Sequence, residues 1–163
     1  EPAILNPMFE GYRYHFTGLH HGPTGHPTED AELCDALMKR LFNKVDAHLD
    51  ELELNEEYML EDADIMIIAY GSVSLGVTEA INRMRKEGIK VGMFRPLTIW
   101  PSPAKRIKEL MTRFDKVLIT ELNMGQFADE VQRVSGRSDF DTLFKVNGRP
   151  LSPLEIIEKV KGM

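Results

Sequence analysis

The sequence is poor in cysteine, in long apolar runs and in basic residues. Its single cysteine, Cys34, excludes an internal disulfide framework and cannot alone hold a zinc ion or an iron–sulfur cluster. No segment reaches the ~18 consecutive apolar residues that a membrane-spanning helix needs. The formal net charge of −6 disfavours binding to nucleic acid, which requires a basic face. We therefore expect neither a membrane nor a nucleic acid as a partner, and cytoplasmic residence is the default.

The length and composition bound the number of domains. The 163 residues suit one domain with an appendage, and a hydrophobic content of 42% is enough for a core. The first residue is Glu1, the first methionine is Met8, and there is no secretory signal pattern. This beginning predicts an excised piece or a processed chain.

Short apolar runs that alternate with helical patterns indicate the fold class. Residues 65–70 form a continuous apolar run, residues 89–94 and 116–120 repeat the pattern, and helical spacing separates the three runs. This alternation predicts an α/β fold, with a three-layer, doubly wound and mainly parallel sheet of four or five strands. The predicted strands cover about 64–70, 89–95, 115–121 and 142–147, and the predicted helices cover about 74–87, 103–113, 125–135 and 152–161.

The first sixty residues differ from the rest, and we place a domain division between an N-terminal part, 1–60, and an α/β domain, 61–163. Dense prolines and glycines in residues 1–31 predict an irregular segment. Apolar residues at every fourth position from Leu33 to Leu49 predict an amphipathic helix over residues 30–49, which covers the α/β domain or packs on a partner. Residues 50–64 hold only acidic charges and predict a solvated linker, with docking to a basic partner as the alternative.

Candidate ligand-binding residues gather where the predicted strands end. If the first strand is central, the carboxyl edge of the sheet brings together Gly71, Ser72, Ser74, Glu121, Asn123 and Gln126. Backbone N–H groups near Ser74 could hold an anion, whereas capping by Ser72 or Ser74 explains the same residues. Glu121 could act as a general base, or it could orient its loop.

Two residues in the proline-rich loop after the second predicted strand are interface candidates. Arg95 and Trp100 belong to residue types that are enriched at interface hot spots. The neighbouring prolines lower the entropy that a docking loop loses. The alternative for Trp100 is a side chain that fills the edge of the core under the loop.

Three histidines in the glycine-rich loop near the N-terminus do not predict a metal site. His20, His21 and His26 lie close in sequence to Glu29 and Asp30, which are possible further ligands. Their spacing matches no zinc motif, and flexible loops seldom preorganise ligands. We expect no bound metal.

Five phrases in fixed order resemble a known family. They are TGLHHGPTGHPT at 17–28, AYGSVSLGVTEAI at 69–81, FRPLTIWPSP at 94–103, ELNMGQ at 121–126 and VNGRPLSPLEI at 146–156. Together they resemble the C-terminal part of the α subunit of 2-oxoacid:ferredoxin oxidoreductases of the 2-oxoglutarate and 2-oxoisovalerate type. The R-x-x-T-x-W-P and E-L-N-x-G-Q pieces carry most of this resemblance, which covers nearly the whole chain.

The resemblance implies a domain similar to the transketolase C-terminal domain. In that family, thiamine diphosphate with magnesium, iron–sulfur clusters and coenzyme A serve the oxidative decarboxylation of a 2-oxoacid to an acyl-CoA, with reduction of ferredoxin. The implied partners are a thiamine-diphosphate-binding β subunit, the other subunits or domains, and ferredoxin through the holoenzyme.

The family's substrate-contacting, thiamine-diphosphate and cluster-binding motifs are absent from this sequence. The resemblance therefore implies a structural and assembly domain that is inert alone, without catalytic residues or bound cofactors of its own. The alternatives are a free-standing small-ligand or nucleotide-binding α/β module, motivated by the turn at 71–74, and a protein–protein adaptor that uses the 30–49 helix.

Overall fold

The computed structural model of the chain describes residues 7–13 and 17–163. It divides into two compact units, Glu1–His48 and Leu49–Met163. The elements in chain order are α1 (Ala31–Asp46), α2 (Leu49–Leu52), β1 (Asn55–Tyr58), β2 (Ile65–Ile68), α3 (Val73–Lys86), β3 (Val91–Pro96), α4 (Ala104–Arg113), β4 (Lys116–Glu121), α5 (Gln126–Ser135), β5 (Asp141–Phe144) and α6 (Pro153–Lys161).

The described residues of the first unit form turns followed by α1, the predicted amphipathic helix. Asp30 caps this helix, because its carboxylate accepts a hydrogen bond of 2.9 Å from the backbone N–H of Leu33. The helix ends at Asp46, three residues before the predicted end at 49. No residue of α1 is buried, and its exposed apolar side chains are Leu33, Met38, Leu41 and Phe42.

The second unit is built on a five-stranded sheet in the order β1-β3-β2-β4-β5. Strands β3, β2, β4 and β5 are parallel, and β1 pairs with β3 in the antiparallel direction. The central strand is β2, and the chain continues first to β3 on one side and then to β4 on the other. The predicted doubly wound, mainly parallel sheet is therefore confirmed.

Side chains that alternate along the strands supply two separate cores, one on each face of the sheet. Ile67, Val91 and Leu118 pack with residues of α3 and α6. On the opposite face, Met66 and Phe94 pack with residues of α4 and α5. Both faces of the central strands are covered, which explains why these strands read as continuous apolar runs. The result is the predicted three-layer architecture.

The acidic segment packs on the sheet, which differs from the solvated linker that its charges predict. It contains α2 and the edge strand β1, and Leu60 after this strand is only 2% exposed. Two of its carboxylates form ion pairs within the unit, Glu56 with Arg95 at 3.0 Å and Glu57 with Arg106 at 2.6 Å. Because these contacts attach the segment to the sheet, it groups with the second unit, and the division falls after His48 rather than after residue 60.

Gly92 permits the close approach of this segment to the sheet. A Cβ atom at this position would lie 2.7 Å from the Cα of Leu60. A glycine in β3 is therefore required for the backbone of the preceding segment to cross this strand.

The last helix begins with the capping box that the sequence predicts. The hydroxyl of Ser152 accepts a hydrogen bond from the backbone N–H of Glu155, and the Glu155 carboxylate accepts one of 2.8 Å from the backbone N–H of Ser152. Lys145 lies 2.7 Å from the same carboxylate. The Lys145 ammonium, followed by the backbone and hydroxyl of Ser152, lowers the pKa of Glu155 from its ordinary value of 4.5 to about 2.

This lowered pKa predicts how one contribution to stability depends on pH. A carboxyl whose pKa is lower in the folded state stabilises fully above its unfolded pKa, and this contribution is lost as the pH falls through the folded value. We expect the stability advantage of the wild type over Glu155→Gln to be constant above about pH 4.5 and to disappear towards about pH 2. Denaturant unfolding across this range measures it, with Glu158→Gln in the same helix as the control for loss of one charge. An advantage that persisted undiminished at about pH 2 would contradict the contacts at Glu155.

Among the helices of the described residues, none combines the length and apolar character that a bilayer crossing requires.

Candidate functional site at the carboxyl edge of the sheet

The candidate site lies where the strand order reverses, between the carboxyl ends of β2 and β4. These strands are adjacent, with Ile68 of β2 in register with Ile119 of β4. Tyr70 follows β2, and Glu121 is the last residue of β4. In open α/β sheets, this position is the usual place for a ligand.

Glu121 is buried and its carboxylate is fully engaged by the protein. The side chain is 1% exposed. Its Oε2 accepts hydrogen bonds from the Tyr70 hydroxyl (2.9 Å), the Asn123 side-chain amide (2.9 Å) and the Phe127 backbone N–H (3.0 Å). Its Oε1 accepts one from the backbone N–H of Ala128 (2.9 Å). A carboxylate held by four donors orients its loop, and this geometry does not favour the alternative role of a general base.

Glu121 and Asn123 together satisfy the start of α5. Asn123 Oδ1 accepts hydrogen bonds from the backbone N–H groups of Gly125 (2.8 Å) and Gln126 (3.0 Å), while Glu121 accepts from the next two. These four N–H groups are the ones that lack partners within a helix. The positive end of the helix dipole is thus occupied by a carboxylate of the chain itself. A phosphate or other anion would have to displace Glu121 to bind at this helix end.

Tyr70 is a site residue that is not among the candidates predicted from the sequence. Its hydroxyl donates to Glu121 and accepts a hydrogen bond of 2.8 Å from the side-chain amide of Asn123. Burial, followed by the neighbouring Glu121 carboxylate, raises the pKa of Tyr70 above its ordinary value. The ring also contacts Phe127, with the ring centroids 5.4 Å apart. The signal that could have identified it is a polar-tipped residue at the end of an otherwise apolar strand.

The turn after β2 has a different hydrogen-bonding pattern from the one the sequence predicts. Ser72 occupies the cap position of α3 but makes no capping hydrogen bond with its side chain. Ser74 is buried, and its hydroxyl donates to the carbonyl of Gly71 at 2.7 Å. The prediction that either serine accepts from the free N–H groups of the helix is therefore wrong. Gly71 has a φ of 57°, which the tight turn requires and which places the carbonyl within reach of Ser74.

The backbone of this turn also uses N–H groups that an anion would need. The backbone N–H groups of Ser74 and Leu75 donate to the carbonyls of Gly71 and Ser72, each at 3.3 Å. Gln126, the remaining candidate, begins α5 with an exposed side chain. The candidates therefore share one edge of the sheet, but their polar groups are largely paired with one another. Ligand binding by these six residues remains a prediction.

Both interface candidates lie in the second unit, in different settings. Arg95 is at the end of β3 and pairs with Glu56, while its Nε is buried without a hydrogen-bond partner among the described residues. Trp100 is 69% exposed. The alternative that Trp100 fills the edge of the core is therefore wrong. Its role as an interface residue remains a prediction.

Within residues 7–13 and 17–163, no group of three or more histidine, cysteine, aspartate or glutamate side chains is placed to share a metal ion. The loop that holds His20, His21 and His26 forms a small turn, closed by a β-bridge between His21 and Pro27.

A substitution at the start of α5 tests the packing of the candidate site. Gly125 has a φ of 102°, and a Cβ atom there would lie 2.7 Å from Cε2 of Phe144. We expect Gly125→Ala to lower the free energy of unfolding by about 2–4 kcal/mol, since backbone strain and a steric clash add. Gly136→Ala is the matched control, because Gly136 also has a positive φ of 73° but has nothing within 4 Å of its Cβ position. Equal losses in the two variants, measured by denaturant unfolding, would contradict the contact with Phe144.

Comparisons with known proteins agree with the architecture of the second unit. The sequence family described as "Pyruvate:ferredoxin oxidoreductase core domain II" matches residues 63–156. The chain is 38% identical over 160 residues to the 2-oxoglutarate synthase subunit KorA of Methanothermobacter marburgensis, covering 96% of this chain and 43% of that protein. It is 33% identical over 179 residues to the ketoisovalerate oxidoreductase subunit VorB of Methanothermobacter thermautotrophicus, covering 98% of this chain and 50% of that protein.

A solved structure extends the similarity to three dimensions. The 2-oxoglutarate:ferredoxin oxidoreductase from Magnetococcus marinus, with 2-oxoglutarate, coenzyme A and succinyl-CoA bound, is similar with a TM-score of 0.76 and 28% identity. The similarity covers 98% of this chain and 28% of that one. The chain thus spans half or less of the length of these relatives. The family match extends over more than half of the chain. The resemblance that the ordered sequence phrases indicate is therefore confirmed. The chain belongs to the pyruvate:ferredoxin oxidoreductase core domain II family.

Proposed function

We propose that this chain is a structural and assembly domain in the α subunit of a 2-oxoacid:ferredoxin oxidoreductase. The observation that carries the proposal is the state of Glu121. The position where open α/β sheets usually bind a ligand is occupied by a buried carboxylate, which accepts hydrogen bonds from four donors of the chain itself. A site closed in this way stabilises a fold, whereas a catalytic site needs a group that is free to meet a substrate.

The relatives support the parent reaction of this proposal. Their names contain 2-oxoglutarate and ketoisovalerate, which are both 2-oxoacids, so the proposed substrate class is a 2-oxoacid. The parent enzyme would decarboxylate it oxidatively to an acyl-CoA and reduce ferredoxin. Its partners in this proposal are a thiamine-diphosphate-binding β subunit and the remaining domains, and its location is the cytoplasm.

The residues present in this chain do not fit the cofactors of the parent enzyme. An iron–sulfur cluster needs several thiolates, and the chain has only Cys34. The N–H groups at the start of α5, which could hold a diphosphate, are engaged by Glu121 and Asn123. We therefore place thiamine diphosphate, magnesium and the clusters on other parts of the parent enzyme, and we assign no chemical step to this chain.

An adaptor role is the second candidate, favoured by one observation. Helix α1 buries none of its residues, although its apolar side chains recur at helical spacing. An exposed apolar helix face is a common docking element for another protein. This role is compatible with assembly, since both use surfaces rather than a catalytic site.

Dye reduction by the purified chain tests the proposal. The chain is supplied with several 2-oxoacids, with and without thiamine diphosphate and coenzyme A, and reduction of a viologen dye is followed. The expected result is no 2-oxoacid-dependent reduction, with a complete oxidoreductase of the family as the positive control. Turnover by the chain alone would overthrow the structural role. Calorimetric titration with coenzyme A and nucleotides covers the small-ligand alternative, which saturable heat would favour.

A further inference from the structure

Three segments at the carboxyl edge of the sheet contain no ionisable side chain. They are residues 71–78 after β2, 97–104 after β3 and 122–128 after β4, each with the start of the helix that follows, and none contains aspartate, glutamate, lysine, arginine or histidine. Charged residues make up 28% of the chain, so three such segments at one edge are unusual. Because β3, β2 and β4 are neighbours in the sheet, the segments follow strands that span only about 10 Å.

The same segments expose large apolar side chains. The exposed residues are Leu75, Leu97, Ile99, Trp100, Leu122 and Met124, and we call them the carboxyl-edge surface. Trp100 is 69% exposed, Leu75 is 74% exposed and Met124 is 77% exposed. A concentration of exposed, large apolar side chains at one edge of a domain is typical of an interaction site.

The chemistry of this surface selects its partner. Depletion of charge together with tryptophan and methionine is the composition of the buried centre of a protein interface. The six side chains themselves carry no charge, while Arg133 lines a pocket with Trp100, and Lys145 and Arg149 line one with Leu122. The apolar centre of this surface complements an apolar and uncharged protein face, because a charged face would lose its hydration there without gaining a counter-ion.

The hydrogen-bond network at Glu121 holds this surface in place. Glu121 and Asn123 fix the loop that carries Leu122 and Met124 by binding the start of α5. Tyr70 ties the same loop to the end of β2. A preorganised loop loses little entropy on docking, so the polar network below the surface favours association.

We propose that the carboxyl-edge surface docks an uncharged, apolar face on another domain or subunit of the same oxidoreductase. This inference rests on the proposed function, and it names the contact by which the domain would assemble. The relatives are at least twice as long as the stretch that they share with this chain, so members of this family carry further protein for the surface to bind.

Matched methionine variants in the complete oxidoreductase test the contact. Met124→Ser, alone and combined with Trp100→Ser, removes exposed apolar groups from the surface. Met59→Ser is the control, since Met59 is 46% exposed and lies next to β1 at the opposite edge of the sheet. We expect the double variant to weaken assembly about tenfold or more, measured by light scattering on dilution, while the control stays within about twofold. Oxidative footprinting should find Trp100 and Met124 protected in the assembly and reactive in the free chain.

The outcomes separate this inference from the proposed function. If the variants assemble like the wild type, or if Trp100 oxidises equally in both states, the surface is not the contact. If the free chain protects Trp100 by forming dimers, the occupant is a second copy and the inference is overturned. If the wild-type assembly forms through this surface but shows no 2-oxoacid-dependent dye reduction, the inference stands and the proposed function fails.

Discussion

Val91→Asp is expected to abolish folding of the second unit. Val91 is fully buried in β3, a strand that is paired on both sides, and it packs against Ile67 and Val77 in one of the two cores. A carboxylate there would have no counter-ion and no water. Placing an unpaired charge in such a position costs several kcal/mol, about 4–5 or more, which is comparable to the whole stability of a marginal domain. Thermal unfolding followed by circular dichroism should show no cooperative transition at the wild-type temperature.

The matched control for this variant is Val146→Asp. Val146 is 60% exposed in the loop after β5, so the same substitution should change the free energy of unfolding by less than about 0.5 kcal/mol. Near-wild-type stability of Val91→Asp would contradict the buried position of this strand.

Glu121→Ala is expected to destabilise the domain by about 3–5 kcal/mol. The substitution leaves four donors without their acceptor, namely the Tyr70 hydroxyl, the Asn123 amide and the N–H groups of Phe127 and Ala128. Two of them are backbone groups of buried residues, and an unsatisfied buried donor is costly. Glu121→Gln keeps the shape and one oxygen, so it should lose about 1–3 kcal/mol.

Denaturant unfolding measures these losses, with Glu79→Ala as the control. Glu79 is exposed on α3 and forms a surface ion pair with Arg83, so its removal should cost less than about 1 kcal/mol. If Glu121→Ala were as stable as Glu79→Ala, the carboxylate would not be holding the start of α5. This result would contradict the capping role of Glu121, on which the proposed structural function rests.

The sequence predicts the parallel strands and their helices well, for a physical reason. Strands such as β2 and β4 are buried on both faces, so they must be apolar throughout, and the helices beside them must repeat apolar residues at helical spacing. The sequence also predicts local helix capping, as at Ser152 and Glu155, because both partners lie within one turn of the helix.

Edge and site geometry depends on contacts that sequence spacing does not record. Strand β1 is not predicted because Glu56 and Glu57 suggest a solvated linker, although charged residues are normal on an edge strand. The sequence identifies Glu121 as a site candidate, but the role of Glu121 depends on Tyr70, which is distant in sequence and which the pattern assigns to the end of an apolar strand. Trp100 could not be placed from its residue type, because tryptophan is common both in cores and at interfaces.

The most direct test of the central claim compares the parent oxidoreductase with and without the region of this chain. Three quantities are measured together: the mass of the assembly, the thiamine diphosphate and iron content of the remaining subunits, and the 2-oxoacid-dependent reduction of a viologen dye. A structural and assembly role predicts that activity falls in parallel with assembly, while the remaining subunits keep their thiamine diphosphate and iron. Loss of thiamine diphosphate or iron from an assembly that stays intact, or full activity without the region, would contradict this account.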